Sequence, residues 1–430
     1  MNKSYVLKTM GCKANQFESG IIIENLTNAG FTQKQKPIDA DYFILNSCSV
    51  THKSDNEALY LLRNAKNENP NIINVITGCV AQIQKQKLLE LEYVDFVIGN
   101  DEKLSIADFL IAQNNYEVQD LMIKEEFNPV VLNDITKTRI GLKIQDGCNS
   151  RCAYCIIPYA RGKSRSAKSE FLTEQINKYA EHGYKEVVLT GIHIGQWGKE
   201  WNLSLIDLLK EIEKTNIERY RLGSLNPSEI DDELLNFLQT SNKFCPHFHL
   251  SLQSACNKTL RAMNRFYKVE DYLNQIENIK TRFEKPFLGS DIIVGFPNET
   301  NEDFEETFNN LKKSGLTQIH TFPYSIRPGT PAAEMANQIP DNIKVERANL
   351  IKNLSKQKHE EFLKQHINKE ISVLIEKRPD KNTGLYKGVS KNYLTILIKS
   401  NKKELFNTIQ NIKIIEYKDG KLTGETLDHN

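Results

Sequence analysis

Ile140–Cys155, IGLKIQDGCNSRCAYC, decides the fold. An apolar strand pattern over Ile140 to Gln145 runs into Gly147 and then into three cysteines, Cys148, Cys152 and Cys155, spaced CxxxCxxC. A strand that delivers its chemistry on the loop past its carboxyl end is the first half of a βα unit. Downstream, further strands are predicted at Glu186 to Thr190, Arg219 to Leu222, Phe248 to Leu252, Ser290 to Val294 and Gln318 to Phe322. Helices such as Ser228 to Leu238 and Asn301 to Ser314 lie between them. Six such units suit a full or partial parallel barrel, with its site at the carboxyl ends of the strands. Upstream, Tyr5 to Lys8, Asp41 to Leu45, Ile73 to Thr77 and Val94 to Ile98 read as strands. They alternate with helices over Asn15 to Ala29, from Ser54 or Asp55 toward Asn69, and over Gln82 to Leu91, a βαβ series implying a mostly parallel sheet. From about His366 the pattern changes to short strands at Val373 to Glu376, Tyr386 to Val389, Thr395 to Lys399 and Ile412 to Tyr417, which suits a small β-barrel. The expectation is an α/β chain in three domains, 1–135, 136–365 and 366–430.

The length of 430 residues supports several cores. Composition is that of a soluble protein, with 39% hydrophobic and 26% charged residues. The net charge of +1 gives no global sign of nucleic acid, so any basic surface must be local. No apolar run approaches a membrane span and Met1 to Met10 lacks a signal-peptide core, so a cytoplasmic protein without a membrane partner is expected. In a reducing compartment the eight cysteines point to metal binding or catalysis rather than disulfides.

Cys148, Cys152 and Cys155 are close enough in sequence to bind three corners of one iron–sulfur cluster, and no fourth cysteine follows to close it. The open corner would be a place for a ligand to chelate. A zinc site completed by a distant His or Cys is the alternative, since thiolates suit both metals. Cys12, Cys48 and Cys79 each lie just past a predicted strand. In a parallel sheet those ends share one edge, so the three thiols should converge in one crevice. Three unrelated buried cysteines are the bland alternative. Cys245 and Cys256 have no partner at useful spacing and read as packing residues.

Seven segments in order carry a resemblance: GCKANQFES around Cys12, ILNSCSVTHKSD around Cys48, VITGCVAQ around Cys79, DGCNSRCAYCIIPYARGKSRS, FHLSLQS, DIIVGFPNET and FPYSIRPGTPA. Together they make the chain similar, over essentially its whole length, to the radical S-adenosylmethionine (SAM) methylthiotransferases. The resemblance implies an amino-terminal methylthiotransferase domain, a radical SAM partial barrel and a carboxy-terminal TRAM domain. Lys13, the Val50-Thr51 and Ser54-Asp55 pairs, and Ala160-Arg161-Gly162 with Arg165-Ser166 resemble the branch acting on N6-threonylcarbamoyladenosine beside the tRNA anticodon. Two departures from the family pattern are Ala255 and Asn298, where Gly is usual. Both lie in loops where Gly serves turns of positive φ, which Asn tolerates better than Ala.

The resemblance implies two [4Fe–4S] clusters and SAM. The cluster on Cys148, Cys152 and Cys155 would bind SAM and cleave it to a 5′-deoxyadenosyl radical, which takes hydrogen from carbon 2 of the adenine. The cluster on Cys12, Cys48 and Cys79 would carry the methylated sulfur that joins the carbon. Cofactor radical chemistry is needed because that C–H bond is beyond acid–base side chains. SAM contacts would come from Tyr154, Thr190, Gly191, Ser251, Gln253, Asp291 and Gly295. Partners implied are tRNA, an electron donor and a sulfur source.

For RNA contact the run Arg161 to Lys168 carries four cations in eight residues. The tail from His366 holds twelve Lys or Arg against eight Asp or Glu, a surplus of four, with Tyr386 and Tyr393 among the lysines. His193 and His249 are given no role. Competing readings are methylthiolation of isopentenyladenosine or of a ribosomal-protein aspartate, and a non-catalytic RNA-binding module with structural zinc.

Overall fold

A computed structural model describes residues 3–112, 118–132, 137–400 and 404–427. The boundary expected at 135/136 lies outside them. The first domain is a five-stranded parallel sheet in the order Thr32–Gln33, Ser4–Thr9, Tyr42–Ser47, Ile73–Gly78, Phe96–Val97. The central strand Tyr42–Ser47 is buried at every position, because helices cover both faces. The edge strand Thr32–Gln33 had no sequence signal, being two exposed polar residues. The helix expected to start at Ser54 or Asp55 spans His52–Glu68 instead. Thr51 caps it, its side chain accepting the Ser54 amide at 3.1 Å.

In the second domain Arg139–Lys143, Glu186–Thr190 and Arg219–Leu222 pair in parallel. Ser224–Leu225, His247–Leu250, Phe287–Val294 and Gln318–Pro323 form a second parallel run. A parallel bridge between Tyr220 and Phe244 joins the two runs. Among the described residues the first and last strands do not pair, so the barrel is partial. Strand alternation divides its residues. Ile140, Leu142, Val187 and Leu189 face the helices and build the largest core, whereas Arg139, Gly141, Val188, Thr190 and Arg221 line an internal cavity.

The tail is a closed barrel of Glu370–Ile375, Tyr386–Ser390, Thr395–Lys399, Lys421–Thr426 and Ile409–Lys418. Its turn at Ser390 to Leu394 docks under the base of the central barrel. Arg221 donates to the carbonyls of Lys391 (2.9 Å) and Ser390 (3.2 Å), and Asn392 donates to that of Lys285 at 3.0 Å. Tyr393 therefore points into the barrel, with Arg221 4.8 Å from its ring, and is not on an RNA-facing surface as its lysine neighbours had suggested. Tyr386 packs against Phe406 at 4.8 Å.

Candidate functional site

The strand-edge convergence argued for Cys12, Cys48 and Cys79 is present. Cys12 precedes the helix Lys13–Asn28, Cys48 follows Tyr42–Ser47, and Cys79 opens the helix Cys79–Leu89. Two glycines make the approach. Gly11 has φ +87° and a Cβ there would sit 2.5 Å from the Cys48 Sγ; Gly78 has φ +91° and a Cβ would meet the Ser47 carbonyl at 2.3 Å. Burial pushes the Cys48 thiol up to about 12, and Cys79 and Cys12 add to the rise. Thiols so placed ionise only against strong positive charge, which a metal cluster supplies. Asn100 donates to the Cys79 Sγ at 3.8 Å.

Beside Cys79 lies a buried charge network. Glu18 accepts from Lys103 (2.6 Å), Lys143 (2.9 Å) and Arg161 (2.7 Å). Asp146 is within 3.0 Å of Lys143, 3.3 Å of Arg161 and 3.5 Å of Arg165. Arg161 and Arg165 are buried, and Lys168 lies over the Trp201 ring at 3.7 Å. Arg161 is thus a structural bridge between the first two domains and Arg165 a buried partner of Asp146, which removes these two from the phosphate contact expected along the run. Lys163 and Lys168 remain exposed.

Around the other three cysteines, His193 Nδ1 lies 3.4 Å from the Cys148 Sγ and Arg265 donates to the Cys152 Sγ at 3.5 Å. Burial pulls the His193 imidazole down, but its bonds to Cys148 and Glu229 dominate and raise it to about 9. Burial likewise pushes the Cys155 thiol up to about 12, with Cys152 and Cys148 contributing. Arg265 also donates to Asn226 Oδ1 (2.9 Å) and the Ser251 carbonyl (2.6 Å). His193, Asn226, Glu229 and Arg265 carried no sequence signal, since His193 is 45 residues and Arg265 113 residues from its cysteine. Among the described residues no three His, Cys, Asp or Glu side chains converge on a single metal ion; a cubane needs a wider triangle of thiolates than one zinc, whose Zn–S bonds are about 2.3 Å.

Tyr154, Cys155, Gln253 and Asp291 line one cavity of about 210 Å³ together with Val50 and Thr51 from the Cys48 loop. The two cysteine loops therefore open onto a common space. Arg327 ties the Cys48 loop to the segment Phe322 to Ala332, donating to Ser49 Oγ (2.6 Å) and Asp55 Oδ2 (2.7 Å), while the His52 amide donates to Ser325 Oγ at 2.8 Å and the Ala332 amide donates to the Ala153 carbonyl at 2.8 Å. The other expected SAM contacts are placed differently. Thr190 lines the internal cavity, and Gly191 packs against the Gln145 carbonyl. Ser251 presents its carbonyl to Arg265 and Tyr267, and the Gly295 amide donates to Glu299 at 2.8 Å. Asn298 has φ +65°, in keeping with its place in a Gly turn. In the other departing loop the positive φ (+71°) belongs to Gln253, not to buried Ala255. Cys245 and Cys256 are buried, their thiols facing Glu186 at 3.9 Å and Asp303 at 3.8 Å.

Comparison with known proteins matches residues 4–99 to an uncharacterized protein family, UPF0004, and residues 142–311 to the radical SAM superfamily. The threonylcarbamoyladenosine tRNA methylthiotransferase of Aquifex aeolicus is 37% identical over 86% of this chain and 92% of its own length. That of Bacillus subtilis is 33% identical over 95% and 93%. The tRNA-2-methylthio-N(6)-dimethylallyladenosine synthase of Geobacillus thermodenitrificans is 31% identical over 98% and 83%. Among solved structures, the radical SAM methyltransferase TsrM from Kitasatospora setae, with tryptophan and a SAM analogue bound, aligns over 77% of this chain and 75% of its own. The TM-score is 0.58 at 12% identity, a likeness of fold.

Proposed function

The chain belongs to the radical SAM methylthiotransferase family, and on that footing we propose that it places a methylthio group on carbon 2 of N6-threonylcarbamoyladenosine in tRNA. The observation that carries this reading is the shared cavity onto which the Cys155 loop and the Cys48 loop both open. A sulfur-insertion enzyme needs its radical source and its sulfur carrier on opposite sides of one substrate.

Two sets of three thiols fit two [4Fe–4S] clusters, with hydrogen-bond donors already aimed at their sulfurs: Arg265 at Cys152 and Asn100 at Cys79. Such donors tune a cluster's potential. Cys148, Cys152 and Cys155 would hold a cluster that would supply the electron for SAM cleavage, and Cys12, Cys48 and Cys79 would hold one that would carry the sulfur. The side chains do the rest. Tyr154, Gln253 and Asp291 line the space for SAM and the adenine. Ile293, Phe322 and Tyr324 make much of its wall apolar, which keeps water from a reactive intermediate. Arg327 anchors the Cys48 loop to the segment that follows the last barrel strand. The enzyme works in the cytoplasm, and its electron donor and sulfur source come from outside the chain.

The test is iron and sulfide content of anaerobically reconstituted protein, alongside the nucleosides of tRNA from a deletion strain. About eight irons, falling to about four when Cys148, Cys152 and Cys155 are all Ala, supports two separate clusters. Loss of the 2-methylthio form of threonylcarbamoyladenosine in the deletion strain supports the substrate. A single cluster, or loss of the dimethylallyl form instead, overturns the corresponding half of the reading.

A further inference from the structure

A strongly basic cavity is lined by residues other than those that line the space between the cysteine loops. It holds about 340 Å³, within the roughly 300–1,000 Å³ range of small-molecule sites. Lys13, Arg139, Thr190, Arg221 and Tyr393 line it, and its cations outnumber its carboxylates six to one, Glu376 being the single acid. Three domains contribute: Lys13 from the first, Arg139, Thr190 and Arg221 from the barrel, and Tyr393 from the tail.

The cations differ in what they already do. Arg139 pairs with Glu376 at 3.3 Å. Arg221 pairs with Glu186 at 3.1 Å and holds two carbonyls of the tail. Lys13 has no hydrogen bond or ion pair among the described residues, and its Nζ lies 5.9 Å from the centre of the Tyr393 ring. It remains reachable from the cavity. Burial raises the Tyr393 phenol, yet Lys13, Arg139 and Arg221 together hold it below its ordinary range. Six cations against one carboxylate make this a pocket short of negative charge.

We propose that this cavity receives the substituent on N6 of the substrate adenine, and that Lys13, backed by Arg139 and Arg221, binds its carboxylate. The inference rests on the substrate being threonylcarbamoyladenosine. Threonine joined to the carbamoyl through its amino group keeps a free α-carboxylate, an anion that a dimethylallyl substituent lacks. Lys13 follows Cys12 directly, so its ammonium enters the cavity from the same turn that presents the first cysteine. Thr190 adds a hydroxyl to the same wall. Lys13 is then a specificity-determining residue, selecting an anionic substituent over an apolar one by charge.

The test uses the reconstituted holoenzyme and two anticodon stem–loop RNAs, one bearing threonylcarbamoyladenosine and one in which the threonine carboxylate is a carboxamide. Binding is read by anisotropy and turnover as kcat/KM. Wild type is expected to prefer the carboxylate RNA by about 10- to 100-fold, the range for a hydrogen bond to a charged group. Lys13→Gln is expected to lose most of that preference by weakening only the carboxylate RNA, with iron content unchanged. Should Lys13→Gln lose iron, Arg139→Gln, remote from the cysteine loops, carries the same comparison. Equal binding of the two RNAs by wild type, or an undiminished preference in both variants, overturns the inference. Failure of wild type to methylthiolate either RNA instead strikes the proposed activity, while the binding preference still decides this pocket.

Discussion

Glu18 shows how much one side chain carries. It is buried among Lys103, Lys143 and Arg161, and joins the first domain to the second. Burial alone would raise its carboxyl, yet Arg161, Lys103 and Lys143 hold it well below the ordinary range. Glu18→Gln leaves those cations unmatched and is expected to cost about 3–5 kcal/mol, read as a lower thermal midpoint. Because the folded value is depressed, this contribution is present above the unfolded value of about 4.3 and is lost as pH falls. The gap between wild type and Glu18→Gln should therefore narrow as pH drops below about 4. A gap that widens there contradicts the assignment. Gly78 is the second telling residue. A Cβ would sit 2.3 Å from the Ser47 carbonyl at φ +91°, so Gly78→Ala must move Cys79. The expected result is loss of the amino-terminal cluster alone, with iron falling from about eight to about four per chain.

At the scale of elements, the loop from Ser49 to Asp55 and the segment Phe322 to Ala332 form one latch. Each carries family-like residues, and neither alone says why. Arg327 reaches Asp55 and Ser49 across 272 and 278 residues of sequence, and Gln84 also donates to Asp55 at 3.0 Å. Arg327→Met takes the paired cation from a buried carboxylate, leaving it the Gln84 and Ser49 donors, and is expected to cost about 3 kcal/mol locally. Faster hydrogen exchange across residues 49–55, with unchanged exchange in the tail barrel, is the expected signature. Uniform acceleration through the chain would mean a general loss of fold instead.

For the whole molecule, the tail is a floor as much as an appendage. Its turn gives Asn392 to the Lys285 carbonyl, Lys391 to the Asn242 carbonyl at 2.5 Å, and Tyr393 to the barrel interior. Phe287 packs with Phe362 and Tyr393. Removing residues 366–430 is therefore expected to lower the thermal midpoint of the remaining chain as well as weaken tRNA binding. An unchanged midpoint would show the tail to be an independent RNA-binding module.

The strand-end positions of the six cysteines and most strands were legible in the sequence because each is a local pattern: a spacing, an alternation, a glycine at a strand end. The convergence of Cys12, Cys48 and Cys79 could be argued as well, since a parallel sheet puts all its carboxyl ends on one edge. Short or atypical elements were not legible; Thr32–Gln33 and Lys421–Thr426 exist through pairing with neighbours rather than through their own composition. The direction in which a cation faces was not legible either. Arg161 and Arg165 read as a phosphate-binding run, and Tyr393 as an RNA-facing ring, until partners distant in sequence turned them inward. Whether a buried charge is tolerable depends on the counter-charges around it, and those are assembled only when the three domains meet.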